Sequence, residues 1–164
     1  MYKFNIILTE MCNANCSHCY MNLNSNKHKK TMSFQDIDKI VEKKGIKANI
    51  MFRIKPGIDA HTHDFVKTGQ IDSKFGLALE TGEAFEAVKT AISFENVNLR
   101  GLHCHIGSQI FEIEPFELAA KVMLNFIAKI KNELDYEISE LDLGGGFGIK
   151  YVEEDTPVDY EGFI

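Results

Sequence analysis

Apolar strand-like segments alternate with amphipathic helix-like segments along this chain, and that alternation limits the possible folds more than any other feature. The strand-like segments cover residues 2–8, 48–54, 97–106 and 138–143, and the helix-like segments cover about 33–45, 82–93 and 115–134. An order of β-α-β-α-β-α-β favours parallel strands joined by crossover helices that cover the sheet. We therefore expect an α/β fold with about four parallel strands and outer helices.

Local signals predict where these helices begin and end. Ser33 stands three residues before Asp36, which is typical of a helix N-terminal cap, and Gly45 follows the periodic segment. Pro115 suits the first helical position because its missing N–H has no partner there in any case. Apolar residues at helical spacing between Ala119 and Leu134 then predict a long amphipathic helix.

The length of the chain limits how much of a barrel it can form. With 164 residues it falls short of the roughly 250 that a complete eight-stranded β/α barrel needs. The sequence therefore predicts a partial β/α barrel. Such a barrel has open strand edges and an uncovered interior, so we expect self-association.

Charge and hydropathy exclude two classes of partner. The formal net charge is −6, and no basic cluster is larger than Lys27, Lys29 and Lys30, which argues against nucleic-acid binding. The apolar run Phe4–Leu8 is too short for a signal peptide, and no other stretch approaches the length of a membrane span. We expect a cytoplasmic protein without a nucleic-acid or membrane partner.

Three of the four cysteines, Cys12, Cys16 and Cys19, lie within eight residues after the first predicted strand. Crowded cysteines in an intracellular chain are more typical of metal or cluster binding than of disulfides. Three thiolates at this spacing can hold three irons of a [4Fe–4S] cluster and leave one iron open. A zinc site completed by His18 or His28, or three inert thiols, are the alternatives.

The segment around these cysteines, LTEMCNANCSHCY at residues 8–20, resembles the cluster loop of the peptide-modifying radical S-adenosylmethionine family. The resemblance covers residues 1–43. It implies that S-adenosylmethionine would bind the open iron, with His18 near its adenine. The resemblance therefore implies a radical-enzyme fragment over residues 1–43, followed by a second segment over 44–164.

Glycines and a serine follow the last two predicted strands. Ser108 comes after one strand, and the run from Gly144 to Gly148 comes after the next. Glycine lets backbone N–H groups approach a phosphate closely, and a serine hydroxyl can add a donor. Ile149 occupies the place of the third glycine in the dinucleotide-binding fingerprint. The pattern therefore favours a site for a single phosphate.

Six short motifs follow one another between residues 44 and 164: FRIKPG (52–57), HTH (61–63), KTG (67–69), SKFG (73–76), GLHCHIGSQ (101–109) and LGGGFG (143–148). Together they resemble those of diaminopimelate decarboxylase, a family that binds pyridoxal 5′-phosphate in a β/α barrel. The resemblance implies that His105 stacks on the cofactor ring and that Arg53 lies near it. It also implies that the phosphate-binding residues are Ser108, Gly144, Gly145 and Gly146.

The same resemblance implies an amino-acid substrate, meso-diaminopimelate, and its decarboxylation to lysine. The family attaches its cofactor to a lysine on the first barrel strand, whereas this chain has the cysteine segment there and no Tyr-Ala-x-Lys-Ala motif. We expect a fragment that lacks this lysine and the C-terminal domain and is inactive alone. The alternatives are a radical S-adenosylmethionine protein with a foreign C-terminal segment and a non-catalytic half-barrel.

Two further interpretations concern histidines and a cysteine near the site. We expect His103 to be a core or supporting histidine on the same strand face as His105, and Cys104 to be a buried structural thiol. A divalent-metal site built from the pairs His61/His63 and His103/His105 is an alternative, because imidazoles two residues apart on a strand share a face.

Overall fold

The structure is a computed structural model that describes residues 33–58 and 75–155. The predicted strand at 2–8, the cluster of Cys12, Cys16 and Cys19, and the polar segment 59–73 with His61 and His63 lie outside the described residues. The chain divides into two compact units, Met1–Lys47 and Ala48–Ile164.

The described part of the first unit contains helix α1, Phe34–Lys44. The hydroxyl of Ser33 accepts a hydrogen bond from the Asp36 N–H at 3.2 Å, and the Asp36 carboxylate accepts one from the Ser33 N–H at 2.9 Å. Gly45 ends the helix in the left-handed conformation, with φ of 63°. The predicted N-terminal cap at Ser33 and helix end at Gly45 are confirmed. Both could be predicted because they depend only on residues within one turn.

The second unit contains a four-stranded parallel sheet in the order β2-β1-β3-β4. The strands are β1 (Ala48–Lys55), β2 (Leu77–Ala78), β3 (Val97–Cys104) and β4 (Glu140–Asp142). The predicted α/β fold with parallel strands is confirmed. Strand β2 was not predicted, because two residues are too few to show a periodicity.

Two helices pack against this sheet, α2 (Glu83–Ile92) and α3 (Glu114–Leu134). Pro115 is the second residue of α3, one position later than predicted. The core combines apolar residues of both helices with one face of the sheet: Ala84, Val88, Leu99, Leu102, Phe116, Met123, Phe126 and Ile130. No helix among the described residues is long and apolar enough to cross a membrane.

The register of the strands separates an apolar face of the sheet from a polar one. Ile54 pairs with Cys104, and both side chains are buried. Arg53 pairs with His103, and His103 pairs with Asp142, so these three residues form a row across the sheet. Because neighbours in register share a face and successive residues alternate, the polar row lies on the face opposite the buried core.

Candidate functional site

The loops that follow β3 and β4 lie side by side at the carboxyl ends of these strands. Ile110 N–H donates to the Gly146 carbonyl at 3.0 Å, and Gly148 N–H donates to the Ile110 carbonyl at 2.7 Å. The rings of Phe116 and Phe147 stack beneath this junction with their centroids 4.4 Å apart. The packing therefore brings Ser108 and the glycine run, nearly forty residues apart in sequence, into one region.

The three glycines that open the second loop meet different surroundings. A Cβ on Gly144, whose φ is +74°, would lie 2.6 Å from the Cys104 carbonyl oxygen. A Cβ on Gly146, whose φ is +106°, would collide with the Gly107 carbonyl. A Cβ on Gly145 would meet no atom within 4 Å. Close packing of the two loops therefore requires the outer glycines, whereas the middle one borders open space.

Several hydrogen-bond donors on these two loops have no partner among the described residues. Within the described part of the chain, the N–H groups of Gly145 and Gly146 and the N–H and hydroxyl of Ser108 make no hydrogen bond, whereas Gly144 N–H donates to Asp142 Oδ1 at 2.7 Å. Backbone N–H groups in a partly enclosed site need a ligand or water as acceptor. Unpaired donors on two adjoining loops form an anion-binding cradle. Below, "the cradle" means Ser108 together with Gly144–Gly146.

His105 lies directly beside the cradle. A Cβ on Gly144 would stand 3.1 Å from its Nδ1 atom. Burial, and secondly the positive charge of Arg53 and the neighbouring His103, lower the pKa of His105 below its usual 6.5. The imidazole is therefore neutral at neutral pH and presents a flat, uncharged ring next to the anion-binding donors.

Arg53 contributes a cation on the polar face of the sheet. Its guanidinium lies over the ring of Phe75, 5.0 Å from the centroid, and burial lowers its pKa. Arginine still keeps its charge, because its ordinary pKa lies far above neutral pH. Among the described residues it forms no ion pair, so its charge is available to a ligand.

Asp142 links the polar row to the cradle, and sequence reasoning missed it. Its Oδ1 holds the first glycine N–H, as above, and its Oδ2 lies 3.1 Å from His103 Nδ1. This Nδ1 atom is buried and makes no hydrogen bond within the described structure. The approach of the two side chains is therefore an ion-pair distance without hydrogen-bond geometry. The available signal was an acidic residue two positions before a glycine run at a strand end.

Cys104 lies on the opposite side of the strand from the histidines. Its side chain is fully buried, and its Sγ lies 3.9 Å from the Leu143 carbonyl oxygen. Burial, and secondly the charge of Asp142, raise its pKa to about 11. This agrees with the expected structural thiol. The described residues contain no group of three or more His, Cys, Asp or Glu side chains that could hold a metal ion.

The fold and the site together define a class: a parallel α/β protein whose strand-end loops form an anion-binding cradle beside a neutral histidine. Residues 5–164 match the sequence profile of a family described as "Pyridoxal-dependent decarboxylase, pyridoxal binding domain". The chain belongs to this family. The profile therefore also extends over most of the segment that resembles the radical S-adenosylmethionine cluster loop.

Relatives and solved structures agree with this assignment. The chain is 48% identical over 128 residues to diaminopimelate decarboxylase of Bacillus methanolicus, covering 78% of this chain and 30% of the relative. It matches the M. jannaschii diaminopimelate decarboxylase solved with L-lysine at 37% identity and a TM-score of 0.68, covering 79% of this chain and 30% of that one. The Helicobacter pylori enzyme, also solved with L-lysine, matches at 35% identity and a TM-score of 0.67. The match covers 79% of this chain and 32% of that one.

The chain spans about 30% of the length of these relatives. The expected resemblance to diaminopimelate decarboxylase is confirmed. The radical S-adenosylmethionine resemblance of residues 1–43 finds no support in the family profile or in these relatives.

Proposed function

We propose that this chain holds the phosphate and ring of pyridoxal 5′-phosphate in a site of the diaminopimelate decarboxylase type. The observation that carries the proposal is the set of unpaired donors on Ser108, Gly145 and Gly146, on two loops that pack together, with open space at Gly145. A phosphate offers several acceptor oxygens and a negative charge, which match such a cradle. Family membership supplies the identity of the phosphorylated ligand.

Two side chains fit the remainder of this ligand. We assign the neutral imidazole of His105, beside the cradle, to contact with the pyridine ring, since a flat uncharged ring can stack without a desolvation penalty for charge. We assign Arg53, a cation on the same sheet face, to a position near the ring. When bound, the cofactor supplies an electron sink that stabilises the negative charge left by loss of carbon dioxide.

For the substrate we propose meso-diaminopimelate, decarboxylated to lysine by the protein to which this site belongs. The proposal rests on relatives named diaminopimelate decarboxylase and on two solved structures that hold L-lysine. A pyridoxal enzyme of this kind also needs a lysine that binds the cofactor covalently. The chain has no Tyr-Ala-x-Lys-Ala motif, so we propose that it binds the cofactor but does not release lysine on its own.

A titration tests the cofactor assignment. Pyridoxal phosphate and pyridoxal are titrated into the wild type, Ser108→Ala and Gly145→Val, with Asn49→Ala as a control at the opposite end of the sheet. The wild type, the cradle variants and the control contain the same lysines, so imine formation between a given ligand and surface lysines is common to all of them. We expect the wild type to prefer the phosphorylated form and both cradle variants to lose that preference. Equal binding of the two ligands by the wild type would refute the assignment.

Release of lysine is tested separately. The full chain is incubated with pyridoxal phosphate and meso-diaminopimelate, and lysine is measured by mass spectrometry. We expect no more lysine than in a control sample without protein. Lysine formation that depends on the protein would show that another lysine of this chain takes the covalent role.

A second candidate concerns Cys12, Cys16 and Cys19, which lie outside the described residues. We propose a [4Fe–4S] cluster there on the spacing of the three thiolates. S-adenosylmethionine at the open iron is what the resemblance to the radical family implies. Anaerobic reconstitution of the wild type should then incorporate about four irons. Stoichiometric zinc, or unchanged iron content in Cys16→Ala, would contradict this candidate.

Self-association is a further proposal, because β2 and β4 are the outer strands of the described sheet and each has a strand neighbour on one side only. Size-exclusion chromatography with light scattering tests it. We expect a mass above that of one chain, and a monodisperse monomer would contradict the proposal.

A further inference from the structure

Gln109, the residue after Ser108, combines an unusual backbone with a side chain that binds the other loop. Its φ is +56°, a left-handed conformation that glycine adopts more easily than glutamine. Its side-chain Nε2 donates to the Ile149 carbonyl oxygen at 3.0 Å, and its Oε1 accepts from the Ile149 N–H at 3.0 Å. The amide therefore pairs with the backbone of Ile149 as a neighbouring strand would.

These two hydrogen bonds connect the loops that form the cradle. Gln109 adjoins Ser108 on the first loop, and Ile149 follows the glycine run on the second. The backbone bonds of Ile110 to Gly146 and Gly148 already join the loops at one point. A second, two-bond connection also fixes their orientation, because two parallel bonds resist rotation that one bond permits.

We propose that Gln109 is a positioning residue that sets the distance and orientation between the two halves of the phosphate cradle. The inference rests on the proposed function, since it assigns a further residue to that cofactor site. It starts from an observed backbone outlier, and such strained positions cluster where a side chain is needed for function. The side-chain amide of Gln109 is bonded to Ile149, so it acts through the placement of Ser108 and the glycines.

A glycine substitution separates this role from ordinary loop stability. Gln109→Gly relieves the left-handed backbone but removes both side-chain bonds, whereas Gln109→Ala keeps the backbone strain and removes the same bonds. We expect both variants to bind pyridoxal phosphate about tenfold more weakly, as loss of two neutral hydrogen bonds suggests. Binding of pyridoxal should not change. We also expect Gln109→Gly to unfold at or above the temperature of Gln109→Ala.

Gln109→Glu adds a pH-dependent readout. An ionised glutamate can accept from Ile149 N–H but cannot donate to the Ile149 carbonyl, which its charge repels. Protonation restores the donor. Measured as a ratio to the wild type at each pH, the affinity of this variant for pyridoxal phosphate should recover as the pH falls through about 4–5, the ordinary range of a glutamate carboxyl. Gln109→Ala should show no such recovery.

Asn49→Ala is the matched control, because it also removes one amide hydrogen bond, from Asn98 at 2.7 Å, at the far end of the sheet. It should leave the preference for pyridoxal phosphate unchanged. If the wild type prefers the phosphorylated ligand and Gln109→Gly keeps that preference, the positioning role is refuted and the cofactor site stands. If the wild type shows no preference for pyridoxal phosphate over pyridoxal, the cofactor site and the positioning role are both refuted.

Discussion

Gly145 and Gly146 are adjacent in sequence, yet the structure predicts opposite outcomes when each is replaced by alanine. A methyl group on Gly146 would collide with the Gly107 carbonyl and would sit on a residue with φ of +106°. The left-handed backbone costs about 1–2 kcal/mol for a residue with a Cβ. Separating the loops would also weaken the hydrogen bond from Ile110 N–H to Gly146, which contributes about 1 kcal/mol.

These effects predict a loss of about 2–3 kcal/mol in the free energy of unfolding for Gly146→Ala, or roughly 5–10 °C in melting temperature for a chain of this size. Gly145→Ala meets no atom within 4 Å and has no left-handed φ. Its stability should therefore stay level or rise by about 0.4–1 kcal/mol, because alanine reduces the freedom of the unfolded chain.

Ligand affinity should fall in Gly145→Ala even though its stability does not. The methyl group of Gly145→Ala occupies the open side of the cradle, so a phosphate should lose at least one charge-assisted hydrogen bond, worth about 1.5–3 kcal/mol, or roughly tenfold or more in dissociation constant. Thermal unfolding followed by titration with pyridoxal phosphate measures both quantities. Equal destabilisation of the two variants, or wild-type affinity in Gly145→Ala, would refute the assignment of open space at Gly145 to the phosphate.

Three further outcomes follow from the described residues. The unfolded chain takes up a proton on His105 at a higher pH than the folded chain does, because the folded pKa is lowered, so the free energy of unfolding should fall as the pH drops through 6.5. Denaturant titrations between about pH 5 and pH 8 should show that His105→Gln loses this contribution. Cys104, with its pKa raised to about 11, should resist alkylation near neutral pH in the folded protein and react in urea, as peptide mass mapping would show. Met123→Ala should cost about 2–5 kcal/mol in the free energy of unfolding, since the side chain is fully buried in the core.

Much of the fold could be predicted because its signals are local. The capping pair Ser33 and Asp36, the glycine stop at Gly45 and the apolar stripe of α3 all depend on residues within a few turns. The succession of strands and helices then favoured a parallel sheet. Strand β2 was missed because its two residues become a strand only by pairing with Ile54 and Lys55 of β1.

The candidate site shows where local reasoning stops. The sequence alone placed Ser108, His105 and the glycine run after strands and so predicted a phosphate site. It could not distinguish the three glycines, because their difference comes from atoms of Cys104 and Gly107 nearly forty residues away.

The roles of Asp142 and Gln109 also depend on tertiary structure. Strand register brings Asp142 opposite His103, and loop packing brings Gln109 against Ile149. Periodicity and capping reflect interactions between chain neighbours, which the sequence by itself determines. The close approach of distant loops depends on strand register and packing. Only the tertiary structure therefore decided which hydrogen-bonding groups of the site already have a partner within the protein and which remain for a ligand.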